Sequence, residues 1–315
     1  EGMTKAFVFP GQGAQVIGMG KALAEAYPQA RAVFDEVDEA LGEALSALIW
    51  DGEQDRLTLT RNAQPALMAT SLAALRALEA EGVGIEAAAF VAGHSLGEYS
   101  ALAAAGALTV ADTARLLRTR GEAMQAAVAP GVGAMAALLG LDFATAHEVA
   151  EEAAQGEVCQ AANDNDPGQV VVSGHTAAVE RAVEIAKGRG ARRAVMLPVS
   201  APFHCALMEP AAQVMAEALS HVNIERPTVP LVANVRASAI SDPTTIRSLL
   251  VEQVTGSVRW RESVLWMAGH GVTEIWEIGA GKALSGMVRR IDKDIAVRNI
   301  GTPEEVRAAV QSLTV

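Results

Sequence analysis

The sequence predicts an α/β fold in which a small βαββαβ unit interrupts a larger α/β domain. Hydrophobic residues make up 50% of the 315 residues and charged residues 20%, a composition that supports a large buried core. Short apolar segments bounded by Gly, Pro and Asn alternate with longer amphipathic segments along the chain. Such alternation is typical of strands joined by helices. Between residues 129 and 198 strands and helices follow one another at shorter intervals.

The first part of the chain predicts strands separated by long helices. The segment KAFVFPGQGAQ predicts a buried strand that ends in a Pro/Gly loop, and helix-like segments rich in Ala and Leu follow it. EAAAFVAG then predicts a short apolar strand, and EYSALAAAGAL predicts a helix of small residues. VADTARLLRTRGEAMQAAV predicts an amphipathic helix, which Pro130 and Gly131 close.

The middle of the chain predicts a small domain. Four segments predict strands: GAMAALLGL, EVCQAAN, QVVVSG and ARRAVMLPV. The segment DFATAHEVAEEAA, after the first strand, predicts a helix capped by Asp142, and TAAVERAVEIAKGRG, after the third, predicts a second helix. DNDPG predicts a turn between the second and third strands. This βαββαβ order is the ferredoxin-like one. Longer helices then return, with TEIWEIGA and AVRNIG as late strands. We therefore predict a large domain of residues 3–128 and 199–315 and a small domain of residues 129–198.

Charge and composition exclude several classes of function. The formal net charge of −12 argues against a nucleic-acid binder, which needs a basic face. An acidic partner would have to find one of two basic stretches, at residues 187–193 or 289–293, and each of these is ordinarily just a solvated face. The longest apolar stretch, PGVGAMAALLGL, is too short for a membrane span. The two cysteines have no metal-site spacing, so we expect a cytoplasmic protein without a metal.

The segment Gly93-His94-Ser95-Leu96-Gly97 is the strongest chemical signal in the chain. It matches G-x-S-x-G, and it lies between a predicted strand and a predicted helix, as a nucleophile elbow requires. The sharp turn demands small residues on both sides of Ser95. The helix N-terminus stabilises negative charge on the serine oxygen. The alternative is a Gly-rich turn whose serine only caps the helix.

A serine nucleophile needs a base within hydrogen-bond reach, and His204 is the best candidate among the six histidines. His204 lies where the chain returns from the small domain to the large one, in a Pro-containing loop between a strand and a helix. His94 is adjacent to Ser95, and neighbouring side chains in such an elbow diverge. The adjacent Cys205 cannot pair with His204, which disfavours a cysteine mechanism.

Arg120 is out of place on its predicted helix. Thr113, Leu117, Arg120 and Met124 fall on one helix face, so the guanidinium points along a partly apolar stripe. A buried guanidinium needs a partner. That partner is either an internal carboxylate, the commoner solution, or the carboxylate of a substrate.

The loop FPGQGAQ does not bind a nucleotide by a known fingerprint. Its Gly11 and Gly13 begin a G-x-G-x-x-G motif, but position 16 is Val. An N–H donor for a tetrahedral oxyanion is a better use of a loop at the carboxyl end of a strand.

Taken together, these motifs resemble the malonyl-CoA:acyl carrier protein transacylases of fatty acid synthesis. The matching segments are FVFPGQGAQ, GHSLGEYSAL, the Arg120 helix, QAANDNDPGQVVVSG, PVSAPFHCALM, VEQVTGSVRW and EIGAGKALSGM, in family order over the whole chain. The resemblance implies an α/β-hydrolase-like large domain with a ferredoxin-like insertion. It also implies ping-pong transfer of malonyl from malonyl-CoA to acyl carrier protein through a malonyl-serine, without a metal or redox cofactor. We expect a monomer.

The resemblance also implies roles for individual residues. Ser95 would be the nucleophile and His204 its base, oriented by the main-chain carbonyl of Gln253 in place of an acid. The N–H groups of Leu96 and Gln12 would form the oxyanion hole. Because only the carbonyl of Gln253 would act, we expect its side chain to matter little.

For the substrate, the resemblance implies that Arg120 pairs bidentately with the malonyl carboxylate. Phe203, directly before the histidine, and Leu96 resemble the malonyl form of related polyketide acyltransferases. Ala201 and Pro202 depart from the polyketide form.

Two rival classes of protein share parts of this pattern. A serine hydrolase or thioesterase would use the same elbow with water as acceptor, but it would need no buried arginine and usually has an acid in its triad. A non-catalytic acyl-binding module would tolerate loss of the serine.

Overall fold

The computed structural model describes residues 4–199 and 201–314, so residues 3 and 315, at the ends of the predicted large domain, lie outside it. Within the described residues, ten strands form two sheets. The strands are β1 (Thr4–Phe9), β2 (Ala88–Gly93), β3 (Gly133–Leu139), β4 (Cys159–Asp166), β5 (Gln169–His175), β6 (Arg193–Met196), β7 (Leu231–Val232), β8 (Ala239–Ile240), β9 (Val272–Ile278) and β10 (Ala296–Ile300).

The helices cover both sheets and fill the remaining core. They are α1 (Lys21–Ala26), α2 (Pro28–Leu41), α3 (Leu45–Asp51), α4 (Gln54–Thr58), α5 (Thr60–Ala80), α6 (Gly97–Ala104), α7 (Val110–Ala126), α8 (Phe143–Ala154), α9 (Thr176–Gly188), α10 (Glu209–Ser220), α11 (Pro243–Thr255), α12 (Trp260–Gly269), α13 (Ala283–Ile291) and α14 (Pro303–Ser312). No described helix has the length and apolar character needed to cross a membrane.

The six-stranded sheet is the centre of the larger unit. Its order is β10-β9-β1-β2-β7-β8, and all neighbouring pairs are parallel except β7 with β8. Side chains alternate across β1: Phe7 and Phe9 join the core that contains α5 and α7, while Ala6 and Val8 join the core that contains α12 and α13. The sheet is therefore covered on both faces, as parallel sheets generally are. The carboxyl ends of β1 and β2 lie side by side at the middle of this sheet.

The four-stranded sheet confirms the predicted βαββαβ unit. Its order is β4-β5-β3-β6, with every neighbouring pair antiparallel, which is the ferredoxin-like arrangement. Helices α8 and α9 pack on one face over a core of Ala and Val side chains. Asp142 caps α8, as predicted, by accepting a hydrogen bond from the N–H of Thr145 at 2.8 Å.

The predicted turn at DNDPG is wrong in its extent. Strand β4 continues through Asp166, and only Pro167 and Gly168 form the turn. The polar side chains of this stretch are buried against the large unit, because Asp164 pairs with Arg261 and Asp166 pairs with Arg290. Their partners lie 97 and 124 residues away in the chain. Local composition therefore indicated a turn where tertiary contacts maintain a strand.

The β4 edge joins the two units. The N–H of Asp164 donates to the carbonyl of Val258 at 2.9 Å, and the N–H of Val258 donates to the carbonyl of Ala162 at 2.8 Å. We propose that the two domains divide at residues 129 and 198, as the sequence predicts. In support, β3 begins at Gly133 and β6 ends at Met196.

The ion pair between Asp164 and Arg261 predicts a stability effect. Asp164 is fully buried and its carboxylate takes three contacts from the guanidinium, of 2.9 to 3.2 Å. Arg261→Met leaves this carboxylate unpaired, and we expect a loss of about 3 kcal/mol in the free energy of unfolding. Urea unfolding measures this loss. The double variant Asp164→Asn/Arg261→Met, which buries no unpaired charge, should be more stable than the single one. A single variant as stable as wild type contradicts the prediction.

Candidate active site

The segment from Gly93 to Gly97 forms a sharp turn between β2 and α6. Ser95 lies at its apex with φ 56°, a left-handed conformation that costs a non-glycine residue about 1–3 kcal/mol. A Cβ atom at Gly93 would lie 1.9 Å from the main chain of Gly97, and one at Gly97 would lie 2.2 Å from the carbonyl oxygen of Phe9. Both glycines are therefore required by steric contact. Ser95 makes no capping hydrogen bond to α6, so the helix-capping alternative is wrong.

The structure brings His204 to Ser95. The Oγ atom of Ser95 lies 2.7 Å from Nε2 of His204, and Nδ1 of His204 lies 2.9 Å from the main-chain carbonyl oxygen of Gln253. A carbonyl oxygen only accepts, so Nδ1 carries the proton and Nε2 of the neutral ring accepts from the Ser95 hydroxyl. Within the described chain, no carboxylate forms a hydrogen bond or ion pair with His204.

Burial keeps His204 in the neutral form that a base requires. The side chain is almost entirely inside the protein. Loss of solvation, assisted by the positive charge of Arg120, lowers the pKa of His204 to about 3, and the hydrogen bond to Gln253 opposes this shift. At neutral pH the imidazole is therefore uncharged and able to take a proton from Ser95.

Arg120 makes the second contact to the Oγ atom of Ser95. It is 1% exposed, and its Nη2 atom lies 3.2 Å from Oγ of Ser95 and 2.8 Å from Oε1 of Gln253. Its Nη1 atom donates to Oε1 of Gln64 at 2.8 Å. No carboxylate of the described residues forms an ion pair with Arg120, so the internal-carboxylate alternative for this arginine is wrong.

The side chain of Gln253 is more important than the sequence indicated. Besides accepting from Arg120, its amide donates through Nε2 to the carbonyl of Ser95 at 2.9 Å and to Oδ1 of Asn234 at 3.1 Å. That this side chain matters little for the chemistry stays a prediction, and these contacts give it a structural role. One residue holds the imidazole through its backbone and the guanidinium through its side chain.

Two further buried residues around the turn were missed from the sequence. Asn234 accepts from the N–H of Ser95 at 2.9 Å through Oδ1 and donates to the carbonyl of Gly93 at 2.6 Å. Glu98 accepts from the N–H of Asn234 at 2.7 Å. A carboxylate in a helix of small residues, three positions after Ser95, was a signal for Glu98. Nothing local marks Asn234, because it lies 139 residues from Ser95.

The loop after β1 lies directly against the serine turn. A Cβ atom at Gly11 would lie 2.5 Å from the carbonyl oxygen of His94, which shows how closely the two main chains approach. The side chain of Gln12 donates to Oγ1 of Thr60 at 3.1 Å. Among the described residues, the N–H groups of Gln12 and Leu96 donate no hydrogen bond, so both remain available beside Ser95.

The other predicted positions lie around this centre. Phe203 is half-buried and packs against Met135 and Val171 on the inner face of the small sheet. His94 diverges from Ser95, as predicted, and its Nε2 lies 2.8 Å from Oδ1 of Asn165 in β4. In the described part of the chain, no group of three His, Cys, Asp or Glu side chains is arranged to hold a metal ion.

The structure also brings the two basic stretches together. In the small sheet, Leu139 of β3 is the register partner of Gln169 in β5 and of Arg193 in β6. Nη2 of Arg290, in α13, lies 3.5 Å from Oε1 of Gln169. Adjacent strands lie about 4.8 Å apart, so Arg193 stands roughly 10 Å from Gln169. Both arginines are exposed.

Comparisons with known proteins point to one family. Residues 6–300 match the model of the acyl transferase domain. The chain is 46% identical over 309 residues to the malonyl CoA-acyl carrier protein transacylase of Bacillus subtilis. The matched region covers 98% of this chain and 96% of that protein. The crystal structure of the acyl-carrier-protein-S-malonyltransferase of Bartonella henselae is similar, with a TM-score of 0.97 and 58% identity over 99% of this chain and 100% of that one.

A further solved structure shows a related enzyme with its partner. It is a malonyl-transacylase in complex with the acyl-carrier protein of a type II polyketide synthase. The TM-score is 0.95 and the identity 40%, over 98% of this chain and 99% of that one.

The burial of Glu98 predicts a pH-dependent stability effect. Loss of solvation raises the pKa of Glu98 to about 7, although the Asn234 N–H and Arg120 both act to lower it. The native state then binds a proton that the unfolded state releases near pH 4.5, so stability is lost as pH rises towards and through 7. Glu98→Gln removes this loss, up to about 3 kcal/mol. Melting temperatures at pH 5 and pH 8 should show the variant gaining on wild type at the higher pH.

A control separates this effect from the removal of any acidic group. Glu25 is exposed on α1, and Glu25→Gln should give the same difference from wild type at both pH values. The prediction fails if Glu98→Gln and wild type melt in parallel over this range.

Proposed function

The chain belongs to the acyl transferase family and, within it, to the malonyl CoA-acyl carrier protein transacylases, and from this premise we propose how its residues carry out the reaction. It is an acyltransferase that moves the malonyl group of malonyl-CoA to acyl carrier protein. The observation that carries the assignment of residues is the environment of Ser95. Its Oγ atom touches both a neutral histidine and a buried arginine that has no carboxylate partner.

In the first half of the reaction, the oxygen of Ser95 attacks the thioester carbonyl carbon of malonyl-CoA. Nε2 of His204 takes the hydroxyl proton, and the carbonyl of Gln253 holds the imidazolium by its Nδ1–H. Collapse of the tetrahedral intermediate breaks the carbon–sulfur bond. Coenzyme A leaves as a thiol with the proton from His204, and the malonyl group remains as an ester of Ser95.

In the second half, the phosphopantetheine thiol of acyl carrier protein attacks this ester. His204 takes the thiol proton and returns it to the oxygen of Ser95 as the ester bond breaks. The malonyl group then forms a thioester with the carrier protein and the enzyme is regenerated. The protein groups alone balance these steps, so we propose that no cofactor takes part.

We propose that the N–H groups of Gln12 and Leu96 stabilise the tetrahedral oxyanion. Neither donates a hydrogen bond within the described chain, and the Gly11 and Gly97 contacts place their loops against one another. Leu96 also lies at the N-terminus of α6, where the helix dipole favours negative charge.

The two rival classes explain the site less well. A hydrolase has no use for a buried guanidinium that contacts the nucleophile without a carboxylate partner. An acyl-binding module has no use for a neutral histidine at hydrogen-bond distance from the serine. A transferase whose acyl group ends in a carboxylate requires both the neutral histidine and the buried arginine.

We propose further that Arg193, Arg290 and their basic neighbours receive the phosphate group that coenzyme A and phosphopantetheine share. Their exposure and their approach across Gln169 support this. Arg290 would contribute its terminal nitrogens, because its Nε donates to Asp166 at 2.7 Å. We propose that the product supplies fatty acid synthesis, as the sequence resemblance implies. A half-buried Phe203 beside the site supports the malonyl preference. The monomeric state and the cytoplasmic location stay predictions.

The nucleophile is tested by intact-protein mass spectrometry after mixing with malonyl-CoA. We expect one malonyl group per chain, and peptide mapping should locate it on Ser95, because among the described residues only its hydroxyl lies at hydrogen-bond distance from Nε2 of His204. Ser95→Ala should carry none. An adduct elsewhere, or full labelling of the alanine variant, overturns the assignment.

The role of Arg120 is tested by comparing two thioesters. Arg120→Ala should raise the barrier to malonyl transfer by about 2–4 kcal/mol, since it removes one partner of a desolvated charge pair. Acetyl transfer should fall much less, because acetyl has no carboxylate. The values of kcat/KM for both thioesters measure this. Arg115→Ala, on the exposed face of α7, is the matched control. Equal losses for both substrates would make Arg120 a structural residue.

A further inference from the structure

The buried guanidinium of Arg120 is surrounded by neutral groups. Its two terminal nitrogens donate to the amide oxygens of Gln64 and Gln253, each at 2.8 Å, and to the hydroxyl of Ser95. The ring of Tyr99 lies 5.6 Å from the guanidinium carbon. The Nε atom of Arg120 has no hydrogen-bond partner among the described residues. A cation at 1% exposure is thus held without an anion in direct contact among the described residues, which is unusual because buried charges are ordinarily paired.

The two amides are fixed with their oxygens towards the guanidinium. Nε2 of Gln253 donates to the carbonyl of Ser95 and to Asn234, so a flipped amide would place its oxygen against two acceptors. Nε2 of Gln64 faces the sulfur of Met124 at 3.8 Å. Both glutamines are also at most 1% exposed, so solvent cannot replace these contacts. The amides therefore hold the guanidinium in place without cancelling its charge.

The charge of Glu98 acts on Arg120, but the carboxylate of Glu98 is hydrogen-bonded to a different residue. Its Oε1 atom accepts the N–H of Asn234, and it forms no ion pair with Arg120. A carboxylate at position 64 or 253 would instead stand where the amide oxygen now contacts the guanidinium. At that distance, in a site without solvent, it would compete directly with a substrate carboxylate.

We propose that Gln64 and Gln253 determine the acyl specificity of the site, because their neutral amides hold Arg120 while leaving its full charge for the carboxylate of a substrate. This inference rests on the proposed function, in which Arg120 binds the malonyl carboxylate. It makes the two glutamines positioning residues that act through Arg120. The thioesters that the site favours are then those whose acyl group ends in a carboxylate.

The experiment compares Gln64→Glu with Gln64→Met, using malonyl-CoA and acetyl-CoA as the two donors. Glutamate keeps the shape and the hydrogen bond but neutralises Arg120, whereas methionine loses the hydrogen bond and leaves the charge free. We expect kcat/KM for malonyl-CoA to fall about 100-fold or more with glutamate and about 10-fold with methionine. The malonyl-to-acetyl ratio should collapse only with glutamate.

A purely structural role for Gln64 predicts the opposite order. The nearly isosteric glutamate would then be the milder change, and both thioesters would be affected alike. That result, in a variant whose melting curve shows a folded protein, overturns the inference. Gln64→Asp introduces the same charge at the same position on a shorter side chain and carries the test if Gln64→Glu does not fold.

Two controls complete the design. Gln213→Glu adds the same charge on the exposed face of α10 and should change neither donor's kcat/KM. In an Arg120→Ala background, Gln64→Glu should no longer change the malonyl-to-acetyl ratio, because the cation it neutralises is gone. Failure of the proposed function looks different, since wild-type protein would then form no malonyl adduct on Ser95.

Discussion

The close contact between the turn after β2 and the end of β1 is the constraint on which the site depends. The main chain of Gly97 passes against the carbonyl of Phe9, and Gly93 lies against Gly97, so no side chain fits at either position. This contact forces Ser95 into a left-handed conformation and presents its hydroxyl above the sheet. It also brings the N–H of Leu96 and the loop that contains Gln12 to the same place. The proposed nucleophile and the proposed anion-stabilising groups thus depend on one steric contact.

A network of uncharged groups supports the reactive atoms. A main-chain carbonyl orients His204, two amide oxygens hold Arg120, and Asn234 fixes the backbone at Ser95. Neutral partners have a common consequence, because they position a group without supplying an opposing charge. His204 stays uncharged at neutral pH and Arg120 keeps its charge for a ligand. The same arrangement with carboxylates would stabilise the apo site and weaken binding of an anionic acyl group.

The small domain helps to position the residues around Ser95. The chain returns from β6 to the large unit through the segment that carries Phe203 and His204, so the junction itself positions His204. Strand β4 fastens the same junction from the other side, through Asp164 on Arg261 and Asn165 on His94. Asn165 connects the insertion to the motif around Ser95, and Asp164 connects it to α12. The relative position of the two units is therefore part of the active geometry.

The sequence by itself determined the α/β class, the βαββαβ insertion, the turn that carries Ser95, and His204 as the histidine beside it. The fold and the turn follow from periodicity and from rules of turn geometry that act over a few residues, and His204 follows from its place where the chain returns from the insertion. The structure decided what depends on distant partners. Asn234 reaches Ser95 across 139 residues, and the amide of Gln253 reaches Arg120 across 133. Strand β4 likewise keeps its polar end because arginines far along the chain pair with it. Long-range hydrogen bonds leave no periodic trace in a sequence, so only the folded chain could show them.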